Sequence, residues 1–251
     1  MANLPSYIDK AVPNPSSNRA PWYKNTAPSY IGIFLWIAFY QSIATGTLTH
    51  AGPLVCMIAL VLAGLIGYAF YYYAPAMLGM KTGYPLYVIG SSTFGTNGGY
   101  IMPGLLMGLL QIGWFGVGIY YAATYILRAF GREPRTGTLL FSVIALIWGL
   151  GTGYIGAKGI RYVSKASLIL TIVPAIMVIY VFFKTAGGIP SYHVPSPDPF
   201  VAFTILIQVV IGFFATAGAA GADFGMNNRD GRDIKLGGLI GVAFGIVFAG
   251  A

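Results

Sequence analysis

An uncharged stretch in the first half of the chain constrains the fold more than any other feature. Residues Gly98 to Tyr121 read GGYIMPGLLMGLLQIGWFGVGIYY and include no charged side chain. About 20 predominantly apolar residues are enough for an α-helix to cross the hydrocarbon core of a bilayer, so this stretch predicts a membrane-spanning helix. It nevertheless carries an amide at Gln111 and an indole at Trp114, among glycines that let helix backbones come close together.

The composition of the whole chain points the same way. The 251 residues are 57% hydrophobic and 8% charged, whereas charged residues make up about 25% of a soluble domain. So few charges cannot solvate the surface of a soluble fold, and the sequence predicts an all-α integral membrane protein. The net charge of +8 has a topological meaning in such a protein, because basic residues mark cytoplasmic loops, and we expect no nucleic-acid partner. The single cysteine, Cys56, cannot form an intrachain disulfide.

Apolar runs of membrane-spanning length predict seven segments. They lie near residues 29–48, 53–76, 100–127, 138–157, 166–183, 201–222 and 236–251. The polar residues 1–28 predict an N-terminal tail, and residues 29–251 predict a transmembrane transporter domain. The last segment is still apolar at Ala251, so we expect a fold truncated within the seventh helix.

The distribution of basic residues predicts the orientation in the membrane. With the N-terminus inside, ten lysines and arginines fall in inner segments and four in outer ones. This majority predicts a multi-pass protein of the plasma or inner membrane with a cytoplasmic N-terminus. The basic cluster Arg128–Arg135 then lies on the outer side, against the trend.

Segments one and six contain clusters of glycine, serine and threonine that favour local unwinding, at Gln41–Thr47 and Gly212–Gly221. Unwound backbone at membrane depth is tolerated where it faces a cavity, and it can bind an ion or a substrate. A first and a sixth interrupted segment indicate a transporter of two five-helix repeats with inverted topology. The first repeat would cover about 29–183, and 201–251 would begin the second. The alternative is that these glycines only permit close helix packing, as we expect for Gly237, Gly241 and Gly245.

Three side chains are candidates for holding a flat ligand. Gln111 and Trp114 lie three residues apart and share a helix face, and Phe214 could form the opposite wall. Alternatively, Trp114 packs in the core and Gln111 bonds a neighbouring helix. The absence of charge from segments one, three and six favours a neutral ligand and a coupling ion held by carbonyls and hydroxyls. Asp223, at the inner end of segment six, could close a cytoplasmic gate with Arg229, Arg232 or Lys165, or could be a solvated carboxylate.

Three blocks of sequence resemble the nucleobase:cation symporter-1 family and its cytosine permeases. They are Lys81-Thr82-Gly83 with Phe94-Gly95 and the QIGWFGVG block at Gln111–Gly118, Val173-Pro174-Ala175-Ile176, and Ala217-Gly218 with Ala222-Asp223-Phe224. The resemblance implies a twelve-helix fold of the LeuT type, with ten helices in the inverted repeats.

The resemblance also implies roles for individual residues. Trp114 would stack on a base, Gln111 would hydrogen-bond it, and Phe214 would supply the second aromatic face. Phe213 and Thr216 stand where cytosine permeases resemble a serine pair, and Thr216 would face the edge of the base. Tyr40 to Gly46 would be the unwound part of segment one, with Tyr40 and Gln41 near the substrate and Thr45 and Gly46 near the ion.

Together these features predict a secondary active transporter that imports a nucleobase or related heterocycle with Na⁺ or H⁺ as the coupling ion. We expect no cofactor and no metal centre. An amino-acid or amine transporter of the same fold is the alternative. An enzyme is disfavoured, because neither HExxH nor GxSxG occurs in the sequence. The expected partners are the substrate and membrane lipid, and the expected state is a monomer.

Overall fold

A computed structural model describes residues 4–35 and 37–251, and for Ile37, Ala38, Gln41, Ser42, Thr45, Ile160, Arg161 and Ser164 it describes only the backbone. The helices that build the described part are α1 (Thr26–Phe34), α2 (Ile37–Thr47), α3 (Pro53–Thr82), α4 (Ser91–Ala129), α5 (Leu139–Ala157), α6 (Ile160–Leu170), α7 (Ile172–Thr185), α8 (Pro199–Ala219), α9 (Gly221–Gly225) and α10 (Gly231–Gly250). Short helical turns occupy Ser6–Asp9 in the tail and Leu86–Ile89 between α3 and α4.

Residues at the helix ends explain where several of these helices begin and end. Asp198 caps α8 by accepting a hydrogen bond from the backbone N–H of Val201 at 3.1 Å. Asp230 caps α10 in the same way, accepting from the N–H of Asp233 at 2.8 Å. Helix α3 ends at Gly83, whose φ of +74° is a left-handed conformation that glycine adopts without steric cost.

Within the described residues, six helical stretches are long and apolar enough to cross a membrane: Pro53–Thr82, Ser91–Ala129, Leu139–Ala157, Lys165–Ser191, Pro199–Ala219 and Gly231–Gly250. They confirm an all-α, multi-pass integral membrane protein and coincide with predicted segments two to seven. Predicted segment one corresponds to α1 and α2, on either side of residue 36.

The predicted unwinding of segment one at Gln41–Thr47 is wrong, and that of segment six, predicted over Gly212–Gly221, is limited to the end of this range, at Ala220. Residues Tyr40 to Gly46 lie inside α2, and α8 continues as a helix from Gly212 to Ala219. The helical run of segment six is interrupted only at Ala220, and that of segment one near Leu35. In lipid the backbone has no water to bond to, so a helix keeps its internal hydrogen bonds even through glycines that would weaken it in water.

Helices α1, α2, α3, α8, α9 and α10 share one core. Its largest fully buried side chains include Tyr30, Phe39, Tyr72, Phe214 and Leu206. Helix α9 lies so close to α3 that a methyl group added at Gly79 would overlap the carbonyl oxygen of Ala222, and one at Gly225 would overlap that of Ala76. Small residues thus allow backbone contact between the two helices, which is how membrane helices gain packing energy.

Helices α4 and α5 form a separate pair with a small core of their own, made by Ala123, Leu127 and Phe141. Most of their remaining apolar side chains face outward, which suits a surface in contact with lipid. One aromatic contact, described below, joins α4 to α8.

The connecting segments meet at two opposite faces of the molecule. At one face, which we call the tail face, the N–H of Asn14 donates to the carbonyl of Gly83 at 2.8 Å, and the N–H of Ala20 donates to that of Asn227 at 2.7 Å. At the other face, the N–H of Asp198 donates to the carbonyl of His50 at 2.8 Å. The tail and the loop after α9 therefore share one face, and the loops after α2 and α7 share the other, as alternating membrane crossings require.

Candidate functional site

The adjacent phenylalanines of α8 have different environments, because neighbours on a helix point about 100° apart. Phe214 points into the core and is 1% exposed. Its ring stacks on Phe34, with centroids 5.7 Å apart and planes 27° apart. A methyl group at Gly67 or Gly218 would come within 3.1 Å or 2.9 Å of the Phe214 ring, so these glycines leave the space that the ring fills. Phe214 is a tightly packed core residue.

Phe213 is half-buried and is the phenylalanine that meets Trp114. The two rings have centroids 5.2 Å apart and planes 41° apart. On its other side, Phe213 contacts the ring of Phe39 at 5.9 Å in an edge-on geometry. An aromatic row therefore runs from α2 through α8 to Trp114 on α4. Sequence reasoning paired Trp114 with Phe214, and the structure brings it together with Phe213.

Gln111 and Thr216 lie within one helical turn of these two rings. Gln111 precedes Trp114 by three residues on α4, is exposed, and its Nε2 lies 3.9 Å from the sulfur of Met107, a weak acceptor. Thr216 follows Phe213 by three residues on α8 and is half-buried. An amide on an apolar membrane helix needs strong hydrogen-bonding partners, so Gln111 is well suited to bind a polar ligand.

Helix α2 carries the remaining predicted positions. Tyr40 is half-buried, and its hydroxyl group, which is shielded from solvent, has no hydrogen-bond partner among the described residues. A methyl group at Gly46 would come within 3.1 Å of Ile205 on α8, so this glycine lies at a helix contact. The side chains of Gln41 and Thr45 lie outside the described residues, and the ion site at Thr45 and Gly46 stays a prediction.

Asp223 lies at the tail face, just beyond the end of α8. Its Oδ1 accepts a hydrogen bond from the backbone N–H of Leu86 at 3.0 Å. Burial raises the pKa of the Asp223 carboxyl above its ordinary value, and the hydrogen bond from Leu86 partly opposes this rise. Of the bases suggested as its partners, Arg229 binds Asp233 instead, with Nε 2.7 Å from Oδ2.

A buried polar cluster at the tail face escaped the sequence analysis. Asn228 is fully buried, and its Oδ1 accepts from the Nδ2 of Asn25 at 2.6 Å while its Nδ2 donates to the hydroxyl of Thr26 at 2.7 Å. Asn25 Nδ2 also donates to the carbonyl of Phe224 at 2.9 Å. These bonds tie the start of α1 to the end of α9. The adjacent amides Asn227 and Asn228 are the sequence signal for this cluster, since amides beside a membrane helix are either solvated or hydrogen-bonded to one another.

A cavity of about 350 Å³ lies elsewhere, between α1, α5 and α6. Hydroxyl groups of Ser29, Thr152, Ser167 and Thr171 line it, and neither Trp114 nor Phe213 does. Within residues 4–35 and 37–251, no cluster of three histidine, cysteine or acidic side chains could hold a metal ion.

Comparison with known proteins bears on what this arrangement does. Residues 12–249 match a family described as "Permease for cytosine/purines, uracil, thiamine, allantoin". The chain belongs to this permease family. Membership confirms the resemblance noted in the sequence, and the members of this family are described as permeases, which are transporters rather than enzymes.

Two similar relatives are cytosine permeases of Escherichia coli. That of strain O157:H7 is 30% identical over 213 residues, which are 81% of this chain and 46% of the relative. That of strain K12 is 29% identical over the same shares. The chain thus spans about half the length of the curated relatives it matches.

Proposed function

We propose that the protein imports a nucleobase or a closely related heterocycle by secondary active transport. Membership of a cytosine and purine permease family supports a flat, neutral substrate. The observation that carries the proposal further is the contact between Trp114 and Phe213, because it brings an indole and a phenyl ring from two membrane helices together, with their planes tilted by 41°. Aromatic faces stabilise nucleobases by stacking, with about 1–3 kcal/mol per base.

Under this proposal the ring pair is closed in the structure and has to open to admit the base. The ring centroids lie 5.2 Å apart, whereas a base between two rings needs about 7 Å, since each stacked contact spans about 3.5 Å. Admission of the base therefore separates α4 from α8 by about 2 Å. Gln111, one turn before Trp114, would then donate to or accept from the polar edge of the base, and Thr216 would face that edge from α8.

In this proposal Phe213 rather than Phe214 is the second aromatic face. Phe214 is enclosed by Phe34 and the glycines of α3 and α8, so a base could reach its ring only by disrupting the core. Tyr40 remains a candidate, since its shielded hydroxyl group has no hydrogen-bond partner among the described side chains and could bind a substrate atom. Gln41 would assist from α2.

The rest of the transport mechanism follows the same proposal. The seven segments would form the first five-helix repeat and the beginning of an inverted second repeat of the LeuT type. The tail face would be cytoplasmic, since it contains most of the basic residues. Na⁺ or H⁺ would drive import, with Na⁺ bound by backbone and hydroxyl oxygens near Thr45 and Gly46. We expect the transporter to act as a monomer.

Uptake and binding of a panel of ligands test the proposal. Cells that express the gene encoding this chain are assayed with labelled cytosine, in competition with uracil, purines, hydantoin and amino acids. We expect at least one nucleobase or hydantoin to be taken up and amino acids not to compete. Binding of amino acids alone would refute the nucleobase assignment and favour the amino-acid alternative. Trp114→Ala serves as the site control and should abolish uptake while the protein is still expressed.

A further inference from the structure

The hydrogen bond between Asp223 and Leu86 joins segment six to the turn that leads into α4. Asp223 belongs to α9, which continues segment six, and Leu86 begins the helical turn Leu86–Ile89 that leads into α4. Helix α4 carries Trp114, and α8 carries Phe213. Segment six thus contacts the α4 side of the molecule both at membrane depth, through the two rings, and at the tail face, through the carboxylate.

The two sides of the carboxylate contact differ in rigidity. Helix α9 is fixed to α3 by direct backbone contact at Gly225 and Gly79, and Ala222 and Phe224 beside Asp223 are buried. On the other side, Leu86 lies between two glycines with left-handed backbone: Gly83 has a φ of +74°, and Gly95 has a φ of +72° at a kink within α4. These glycines offer pivots on the Leu86 side for a displacement of α4 relative to segment six.

We infer that Asp223 is a positioning residue for transport, which acts as an inner latch by holding the N–H of Leu86 while Trp114 and Phe213 separate around the substrate. The inference rests on the proposed function. With the latch closed, α4 opens at membrane depth and stays fixed at the tail face; with the latch broken, the tail-face end is released. The latch therefore governs the translocation step, and the contacts that bind the base lie elsewhere.

This role differs from an ion-pair gate in what it requires of residue 223. The latch needs a hydrogen-bond acceptor and does not need a charge, since its partner is a backbone N–H. Asp223→Asn keeps an acceptor oxygen, and Asp223→Ala removes it. Asp198→Ala is a matched control, because Asp198 also accepts one backbone N–H, that of Val201, at the opposite end of α8.

The donor can be removed independently of the acceptor. Leu86→Pro deletes the N–H at a position that tolerates proline, because Leu86 is the first residue of its helical turn. The preceding Pro85 has φ −72° and ψ 166°, the extended conformation that a residue before proline adopts. Leu86→Ala, which keeps the N–H and shortens the side chain, is the control for Leu86→Pro.

The test measures cytosine binding, initial uptake rates and amide hydrogen exchange in the same set of variants. We expect Asp223→Ala and Leu86→Pro each to lower the maximal uptake rate about tenfold, with less than a twofold change in KM, and the double variant to be no slower than either. Asp223→Asn, Asp198→Ala and Leu86→Ala should stay within about threefold of the wild type. Exchange at the Leu86 amide should be slow in the wild type and fast in Asp223→Ala.

Three outcomes would overturn the inference. The first is wild-type uptake by Asp223→Ala. The second is an equal loss of uptake rate in Asp223→Asn and Asp223→Ala, which would show that the charge is required. The third is equal uptake rates for Leu86→Pro and Leu86→Ala. A failure of the proposed function looks different, because the wild-type protein would then bind and transport no base. The exchange experiment needs no substrate and tests the contact itself in either case.

Discussion

Replacement of Phe213 and Phe214 by alanine, one at a time, separates substrate binding from core packing. Phe214→Ala removes a ring that is 1% exposed and in contact with Phe34. Loss of a buried phenylalanine costs about 3–5 kcal/mol. We expect the lower end, about 3 kcal/mol, because separated membrane helices remain in lipid and the variant loses packing rather than hydrophobic transfer energy.

Phe213→Ala should have the opposite effect, weakening substrate binding more than stability. Phe213 is half-buried, so its removal disturbs the core less, but it takes away one face of the proposed stack. A stacked base contributes about 1–3 kcal/mol, which corresponds to a loss of affinity between about 5-fold and 150-fold. Phe213→Ala should therefore weaken cytosine binding while its melting temperature stays close to that of the wild type.

The assay is thermal unfolding of the purified variants in detergent, with and without cytosine, together with equilibrium binding. We expect Phe214→Ala to unfold roughly 10 °C below the wild type and to bind cytosine normally at low temperature. The reasoning is refuted if Phe214→Ala keeps its stability and loses binding, or if Phe213→Ala binds as tightly as the wild type.

Three further predictions concern other parts of the molecule. Gln111→Ala should raise the KM for uptake about fivefold, the equivalent of one lost hydrogen bond of about 1 kcal/mol, and an unchanged KM would exclude Gln111 from the site. Gly225→Ala should destabilise the protein by about 1–3 kcal/mol in thermal unfolding, because the added methyl group meets the Ala76 carbonyl, while Gly151→Ala, with open space around it, should be neutral or slightly stabilising. The folded state raises the pKa of Asp223 above its ordinary 3.8, so the folded protein holds this proton more tightly than the unfolded chain. The stability of the wild type relative to Asp223→Asn should therefore fall as pH rises above about 4. A pH-independent difference in melting temperature between the two proteins would contradict this.

The membrane spans could be predicted from the sequence because apolar length is a property of each segment alone. Predicted segments two to seven coincide with helices that begin within a few residues of the expected positions, apart from extensions such as that of α4 to Ser91. The seam predicted for Gly237 and Gly241 is confirmed too, since a methyl group at Gly241 would come within 2.8 Å of the backbone of Ala27.

Two features could not be predicted, for different physical reasons. Unwinding was expected from the glycine-rich composition of segments one and six, but composition reports helix propensity in water, and lipid favours intact helices. The choice between Phe213 and Phe214 depends on how α8 is rotated about its axis. That helix has only three polar side chains, Thr204, Gln208 and Thr216, and they do not distinguish which of the two phenylalanines faces the core.

The partner of Asp223 was also beyond the sequence. A carboxylate near a basic loop suggests an ion pair, and the hydrogen bond with Leu86 involves a backbone N–H that no residue type reveals. Arg229 instead forms an ion pair with Asp233, four residues further along the chain. Sequence patterns identify charges well and backbone donors poorly.

The most direct test of the proposed site is an experimental structure of the protein with cytosine bound. We expect the base between the rings of Trp114 and Phe213, with their separation increased from 5.2 Å to about 7 Å and the amide of Gln111 at the edge of the base. A structure in which the two rings remain in contact while cytosine occupies another position would contradict the account.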